Sequence, residues 1–198
     1  MTNEHAPSSP EKETLARLPV LPMTGAVVFP QVLVPMVITD EPITRLVSSV
    51  VTDHKKLVLA TVRPDRDAAE RDPSDPPFFG IATVGQILQH VKMPDASMRL
   101  LIQGRERVRL SGFRRDDDGW SAEIEPVPSV DEDDARARAL HRVVLGQFQE
   151  IAALAPHGAE ELRGLLSQIQ DAGQLADFIA AHLNLEIERK QELLAEPS

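Results

Sequence analysis

The chain lacks cysteine altogether and has a single tryptophan among its 198 residues. Without cysteine there is no disulfide scaffold, no thiol nucleophile and no thiolate metal site. No apolar stretch reaches the roughly 18 uninterrupted residues that a transmembrane helix needs. The opening residues TNEHAPSSPEKE are polar and lack the apolar centre of a signal peptide. We therefore expect a soluble, cytoplasmic protein with no membrane partner.

Catalytic motifs are missing as well. There is no GxxxxGK[ST] phosphate loop, no GxSxG nucleophile turn and no HExxH zinc motif. The six histidines show no metal-ligand spacing, and the acidic runs at 116–118 and 131–134 do not follow the calcium-loop pattern. These runs instead predict a hairpin tip and a helix N-terminus. We expect no catalytic residue, no metal and no cofactor, and therefore a chain that is not itself an enzyme.

Positive charge is scarce. The chain has 21 Lys and Arg against 31 Asp and Glu, a formal net charge of −10, which argues against a dedicated nucleic-acid surface. Arg105, Arg107 and Arg109 alternate, so we expect them to project from one face of a strand, with Arg114 and Arg115 nearby. This cluster is either a surface for phosphate or an acidic partner, or a solvated face that balances nearby acids.

The segment at residues 18–38, LPVLPMTGAVVFPQVLVPMVI, is almost entirely apolar. Pro19, Pro22, Pro30 and Pro35 interrupt it, and because proline lacks a backbone donor no helix can run through it. Prolines are tolerated at strand edges and bulges. The pattern therefore predicts three short strands, LPVL, AVVF and VLVPMVI, around a barrel-like core.

More strands follow a short helix, which Thr39 or Asp40 can cap. Strands are predicted at 57–62 and 79–93, and a turn at 93–97 leads to MRLLIQG, RERVRLSGF and WSAEIEPV. Residues 63–77 are charged and proline-rich, which predicts an exposed, mobile loop. Trp120 is predicted to lie in the core or in a hairpin.

The hydrophobic period changes to that of helices after Pro128. Ser129 and Glu132 match a capping box. Four helices are predicted, with apolar faces at Leu140, Val144, Phe148 and Ile151; at Leu162, Leu165, Leu166 and Ile169; at Leu175, Phe178, Ile179 and Leu183; and at Ile187, Gln191 and Leu194. The predicted class is α+β, with a flexible leader at 1–13, a β-barrel domain at 14–127 and a helical bundle at 128–198.

Several adaptable apolar side chains lie at predicted turns and strand ends. Methionine suits surfaces that bind many partners, although for most of these side chains, among them Met23, Met36 and Met98, a place in the core is the favoured interpretation. Turns on a rigid scaffold often carry function. We take Phe29, Pro30, Met93 and Pro94 as candidate contacts with a protein substrate.

These stretches together resemble the N-terminal domain of the Lon family of ATP-dependent proteases. Residues 18–38 are similar to the family pattern LPxLPLRxxVxFPxxxxPLxV, and RLLIQGRERVRL is similar to VLVEGxxRxRI. The helical segment QLADFIAAHLNLEIERKQELL is close to LADxIAxxLxLxxxxKQxLLE. The resemblance covers about residues 15–195 and implies a PUA-like β-barrel with one packed helix, followed by a helical bundle.

The resemblance implies a non-catalytic domain that recognises unfolded, damaged or degron-bearing proteins and supports ring assembly. In full-length Lon proteases the ATPase and serine–lysine protease domains follow this region, so the chain is expected to be either a fragment or a stand-alone relative. The partners implied are protein substrates, the rest of a Lon protease and further copies of the chain. The alternatives are a stand-alone adaptor, or a PUA-like module that binds nucleic acid or a small ligand.

Overall fold

The architecture is a mixed β-sheet with four helices, seen in a computed structural model that describes residues 16–52, 55–128, 135–154, 169 and 171–196. The strands are β1 Ala16–Met23, β2 Leu33–Ile38, β3 Lys56–Thr61, β4 Ile81–Lys92, β5 Met98–Asp116 and β6 Gly119–Pro126. The helices are α1 Glu41–Thr52, α2 Ala135–Leu154, α3 Ala172–His182 and α4 Ile187–Ala195.

Strand β5 organises the sheet, whose order is β2-β5-β4-β3-β1-β6 with a further pairing between β5 and β6. Among the pairs formed by these six strands, β1 with β3 is the parallel one. The sequence predicts two strands over residues 98–113, but the structure has one strand of 19 residues. Its first half pairs with β2 and β4, and its second half pairs with β4 and β6.

The segment between β1 and β2 is not the predicted strand. The carbonyl of Ala26 accepts a hydrogen bond from the Thr61 hydroxyl at 3.1 Å, and that of Val28 accepts one from the Thr83 hydroxyl at 2.6 Å. Side chains of the sheet thus satisfy backbone groups that a strand partner would otherwise bind. The prediction of a strand at AVVF was wrong because periodicity does not reveal which hydrogen-bond partners a short apolar run will find.

Two hydrophobic clusters form the interior of the sheet. One contains the buried face of α1 (Leu46, Val47 and Val50) together with inward residues of β1–β5. The Asp40 carboxylate accepts from the Ile43 N–H at 3.0 Å, which confirms the predicted cap. The other cluster surrounds Trp120, which is 1% exposed and confirms the predicted core position.

Residues 63–77 are mostly exposed, as predicted, but ion pairs organise this loop. The Arg66 guanidinium binds the carboxylates of Glu70 and Asp75, and Arg63 binds Asp75 at 3.1 Å. Hydrogen bonding to Arg66 lowers the pKa of Glu70 to about 2. The Ala68 carbonyl also accepts a hydrogen bond from the Trp120 indole N–H at 3.4 Å.

Some of the helices predicted after Pro128 are present in the structure. Asp171 caps α3, where its carboxylate accepts from the Gln174 N–H at 2.7 Å, and Leu194 of α4 is buried. On the predicted face of α3, Leu175 is buried but Leu183 is 46% exposed. The predicted capping box at Ser129 and the predicted helix around Leu166 lie outside the described residues.

Gly104 permits a close approach between β5 and the preceding segment. A Cβ atom built on Gly104 would lie 2.4 Å from the Phe29 carbonyl oxygen, a distance that real contacts do not reach. The backbone groups of both segments are hydrogen-bonded there, since Gln31 N–H donates to the Gly104 carbonyl at 2.9 Å. Neither side can therefore move without losing such bonds.

We predict that Gly104→Ala lowers the free energy of unfolding by roughly 2–3 kcal/mol, the scale of overpacking in a tight interior. Gly80→Ala is the matched control, because a Cβ there meets no atom within 4 Å. Urea denaturation followed by tryptophan fluorescence measures both. Equal urea midpoints for the two variants would contradict the close contact between Gly104 and the Phe29 carbonyl.

Candidate protein-binding surface

One face of the sheet end formed by β2, β5 and β4 is apolar and turned away from the core. Directly opposite residues of antiparallel strands share a face. Val37, Arg99 and Val91 form one such row across the three strands, and Pro35, Leu101 and Gln89 form the next. We call the apolar residues here the outer face, which comprises Leu33, Pro35, Val37, Leu88, Val91 and Leu101.

The outer face exposes large side chains. The exposed fraction is 51% for Leu33, 58% for Val37, 55% for Val91 and 47% for Leu88. β2 is apolar on both faces, so while Leu33, Pro35 and Val37 point outward, Val34 and Met36 pack against the core. Adjacent exposed apolar side chains on a soluble domain often mark a site of protein interaction.

Strand β2 is also an edge of the sheet. The Val32 carbonyl accepts from the Gly104 N–H at 2.9 Å. The backbone N–H and C=O groups of even-numbered residues in β2 are therefore directed toward β5, and those of odd-numbered residues are directed toward the outer edge of the sheet. Pro35 sits in the middle of that edge and has no N–H to donate. A strand from a partner that paired with this edge would find no N–H donor at Pro35. This favours binding through side chains on the outer face over extension of the sheet by a further strand.

The predicted turn at 93–97 joins β4 to β5 beside the outer face. The Asp95 carboxylate accepts from the Ser97 N–H at 3.0 Å and from the Ser97 hydroxyl at 2.6 Å, and these bonds lower the pKa of Asp95. Met93 is half-buried and Pro94 is exposed. These two candidate contacts lie at the end of the strand that carries Val91, so they extend the outer face.

The other two candidate contacts, Phe29 and Pro30, are buried. Phe29 is 1% exposed and packs with Ala180 of α3 and Leu194 of α4. The structure thus separates the four candidates into two places. A contact between Phe29 or Pro30 and a substrate stays a prediction, and for Phe29 it requires α3 and α4 to move first.

Sequence reasoning missed Leu33, Val37, Leu88 and Val91. The alternation rule could not choose between the faces of β2, because both faces of LVPMVI are apolar. The register shift between Ile87 and Gln89 further breaks the alternation along β4. An apolar strand that also contains a proline is the one signal of an exposed edge that the sequence carried.

The arginine stripe does not form as predicted. Arg105 and Arg109 are exposed, but Arg107 is buried beneath α3 and α4. Its guanidinium makes a two-pronged ion pair with Asp177 of α3, and its Nε donates to the Leu194 carbonyl of α4 at 3.1 Å. A register shift in the pairing of β4 with β5 next to Arg107 interrupts the simple alternation.

This arginine ties both helices to the sheet, and we call Arg107, Asp177 and the Leu194 carbonyl the clamp. The Gln191 side chain of α4 adds a bond to the Ile81 carbonyl at 2.6 Å. Burial raises the pKa of Asp177 to about 6, aided by the charge of Asp171 and opposed by Arg107. The direction of this shift follows from the loss of hydration, which disfavours the ionised carboxylate.

Other sites are absent from the described parts of the chain. Residues 16–52, 55–128, 135–154 and 171–196 contain no group of three side chains placed to hold a metal ion. The run at 116–118 forms a hairpin tip, where the Asp116 carboxylate accepts from the N–H groups of Asp118 and Gly119. The second acidic run, at 131–134, which was predicted to lie at a helix N-terminus, is outside the described residues. None of the helices described is long and apolar enough to cross a membrane.

A family model described as the ATP-dependent protease La (LON) substrate-binding domain matches residues 17–198. The chain belongs to this family. The Lon protease of Rhizobium meliloti (strain 1021) is 33% identical over 194 residues, which are 98% of this chain and 23% of that protein. The Lon protease of Azospirillum brasilense is 33% identical over 90% of the chain and 22% of its own length. This LON substrate-binding domain thus spans under a quarter of those relatives.

Solved structures agree with the fold of this LON substrate-binding domain. The N-terminal domain of a Mycobacterium avium complex Lon protease aligns with a TM-score of 0.64 at 18% identity, covering 91% of this chain and 90% of that one. A Lon N-terminal domain protein from Xanthomonas campestris aligns with a TM-score of 0.67 at 18% identity, covering 93% and 92%. At this identity the likeness concerns the mixed sheet and its helices.

We predict that Asp177→Asn changes how stability depends on pH. The carboxyl of Asp177 has a pKa of about 4 when unfolded and about 6 when folded, so the folded state binds its proton more tightly. Its contribution to the free energy of unfolding is therefore largest at low pH and falls as pH rises from about 4 to about 6. The wild type should therefore lose stability relative to Asp177→Asn between pH 4 and pH 7, measured by urea denaturation. Asp117→Asn at the exposed hairpin tip is the control. A relative gain by the wild type would show that attraction to Arg107 outweighs burial.

Proposed function

We propose that this domain recognises unfolded, damaged or degron-bearing polypeptides and performs no catalysis itself. The observation that carries the proposal is the outer face, where Leu33, Val37 and Val91 are each more than half exposed. Membership in a family of substrate-binding domains supports it. An unfolded chain exposes apolar side chains that a folded protein buries, so such a face discriminates between the two states.

The physical basis is weak contact with many partners. Side chains on a sheet face offer a firm apolar surface, and the adaptable Met93 at the adjoining turn can fit different residues. Pro94 is exposed at the same turn and completes the proposed contact region. Low affinity at one domain becomes useful when several copies are held together, since linked sites raise the effective concentration.

The setting is that of a Lon-type ATP-dependent protease. The relatives are four to five times longer than this chain, and the resemblance implies that ATPase and protease activities lie in other domains. We propose that the domain supports ring assembly in the cytoplasm, alongside binding of substrate.

Weak self-association of the chain should then appear in sedimentation at high concentration, and a strict monomer would count against it.

We further propose that the sheet is a PUA-like barrel with a helical subdomain beginning near residue 128. The pairing of β6 with both β1 and β5 supports closure of a ring of strands. The contacts of α2 with α3 and of α3 with α4 support a helical unit. The clamp attaches that unit to the barrel.

We predict that Val37→Ser weakens binding of a permanently unfolded protein about fivefold, because roughly 1 kcal/mol of apolar contact is lost. Leu33→Ser combined with Val37→Ser should weaken it further. Serum albumin that is reduced and blocked with iodoacetamide serves as the unfolded probe. Binding is followed by fluorescence anisotropy of the labelled probe with the 198-residue chain.

Val143→Ser on α2 is the matched control, since Val143 is 57% exposed against 58% for Val37. It should leave the affinity unchanged. Folded serum albumin should bind neither the wild-type chain nor any of the variants. Equal loss in both valine variants would mean that apolar exposure in general, and not the outer face, holds the probe.

A further inference from the structure

Acidic residues are absent from the strands that form the outer face. β2, β4 and residues 98–105 of β5 contain no Asp or Glu, although the whole chain has 31. The same strands carry Lys92, Arg99 and Arg105 with exposed side chains. In a protein with a net charge of −10, the strands of this apolar sheet end thus carry positive charges only, while Asp95 in the adjoining turn is acidic.

A polar depression of about 250 Å³ adjoins the outer face, lined by Gln31, Lys56, Val84, Gln86, Arg105 and Glu106. The cross-strand register places it there. Leu33 of the outer face lies opposite Gln103, Gln103 lies opposite Gln86, and Gln86 lies opposite Lys56. One row across four strands therefore begins at an apolar side chain and ends at a lysine.

Hydrogen bonds orient the arginine at this depression. The Arg105 guanidinium donates to the Gln103 side-chain carbonyl at 3.0 Å, and the Gln103 amide donates to that of Gln31 at 3.4 Å. Within residues 16–52, 55–128, 135–154 and 171–196, neither Arg105 nor Lys56 forms an ion pair. The depression is lined by two cations, Arg105 and Lys56, and by one carboxylate, that of Glu106, so its net charge is positive.

We propose that this surface selects apolar polypeptide segments flanked by Asp or Glu side chains, with the flanking carboxylate held by Arg105 and Lys56. This inference rests on the proposed function, because the apolar part of the segment occupies the outer face. Charge complementarity adds specificity at the rim of an apolar contact. The surface carries no aromatic side chain on which bases could stack, so the charges favour a peptide over a nucleic acid.

The test compares labelled peptides that share one apolar centre of Leu and Val. They are flanked on both sides by Glu, by Gln or by Lys, and both termini are blocked so that no terminal carboxylate remains. At low salt the Glu peptide should bind the wild-type chain about three- to tenfold more tightly than the Gln peptide, the range that two exposed ion pairs supply. The Lys peptide should bind most weakly, and added salt should remove the differences.

Variants locate the selection. Arg105→Gln combined with Lys56→Gln should abolish the preference for Glu over Gln and leave binding of the Gln peptide unchanged. Arg114→Gln, which removes an exposed charge near the far end of β5, is the control and should keep the preference. Val37→Ser should weaken the Glu and Gln peptides alike, because it acts on the apolar contact.

The outcomes separate this inference from the proposed function. If the Gln peptide binds but Glu brings no gain, or if the double variant keeps the preference, the charge selection is wrong and the apolar function stands. If neither peptide binds the wild type, both fail. Two further samples complete the test: the Gln peptide with its C-terminus left free, and the Glu peptide with a short RNA as competitor. If only the free C-terminus improves binding, the depression binds chain ends, and if the RNA displaces the peptide, it binds nucleic acid; either result overturns the proposal.

Discussion

The buried guanidinium of Arg107 is the constraint on which the arrangement of sheet and helices depends. A charge enclosed by protein must be matched by partners on every side, because its hydration has been lost. Asp177 and the Leu194 carbonyl provide those partners, and they belong to two different helices. Meeting this one requirement sets where α3 and α4 sit on β5, and their position in turn covers Phe29.

The long strand β5 runs from a part of the sheet whose outer face is uncovered to a part on which α3 and α4 lie. Its second half pairs with β6 and carries the clamp residue, whereas its first half pairs with β2 and contributes Leu101 to the outer face. Helix α1 packs only against the inner side of the first part, so among the described residues its outer face stays exposed and can contact a partner. The charge distribution follows the same division, because the strands of the uncovered part have no carboxylate to repel an acidic segment.

Much of the local structure was predictable because its causes are local. The cap at Asp40, the turn ended by Ser97 and the cap at Asp171 each depend on a side chain that bonds to backbone within a few residues. The turn that carries Met93 and Pro94 was predicted for that reason, while their contact with a substrate stays a prediction. The outer face was not predicted, since the choice of which face of β2 meets the core depends on pairing with residues 60 to 70 positions away in the chain.

The sequence by itself determined the class of elements, the family and the absence of cysteine chemistry, because composition, spacing and short motifs are properties of neighbouring residues. Only the tertiary structure decided that Arg107 is enclosed while Arg105 stays exposed, that Phe29 is covered, and that Leu33 and Val37 point outward. The physical reason is that burial and ion pairing result from long-range contacts. An alternating arginine or an apolar strand looks the same in sequence whichever partner the fold brings to it.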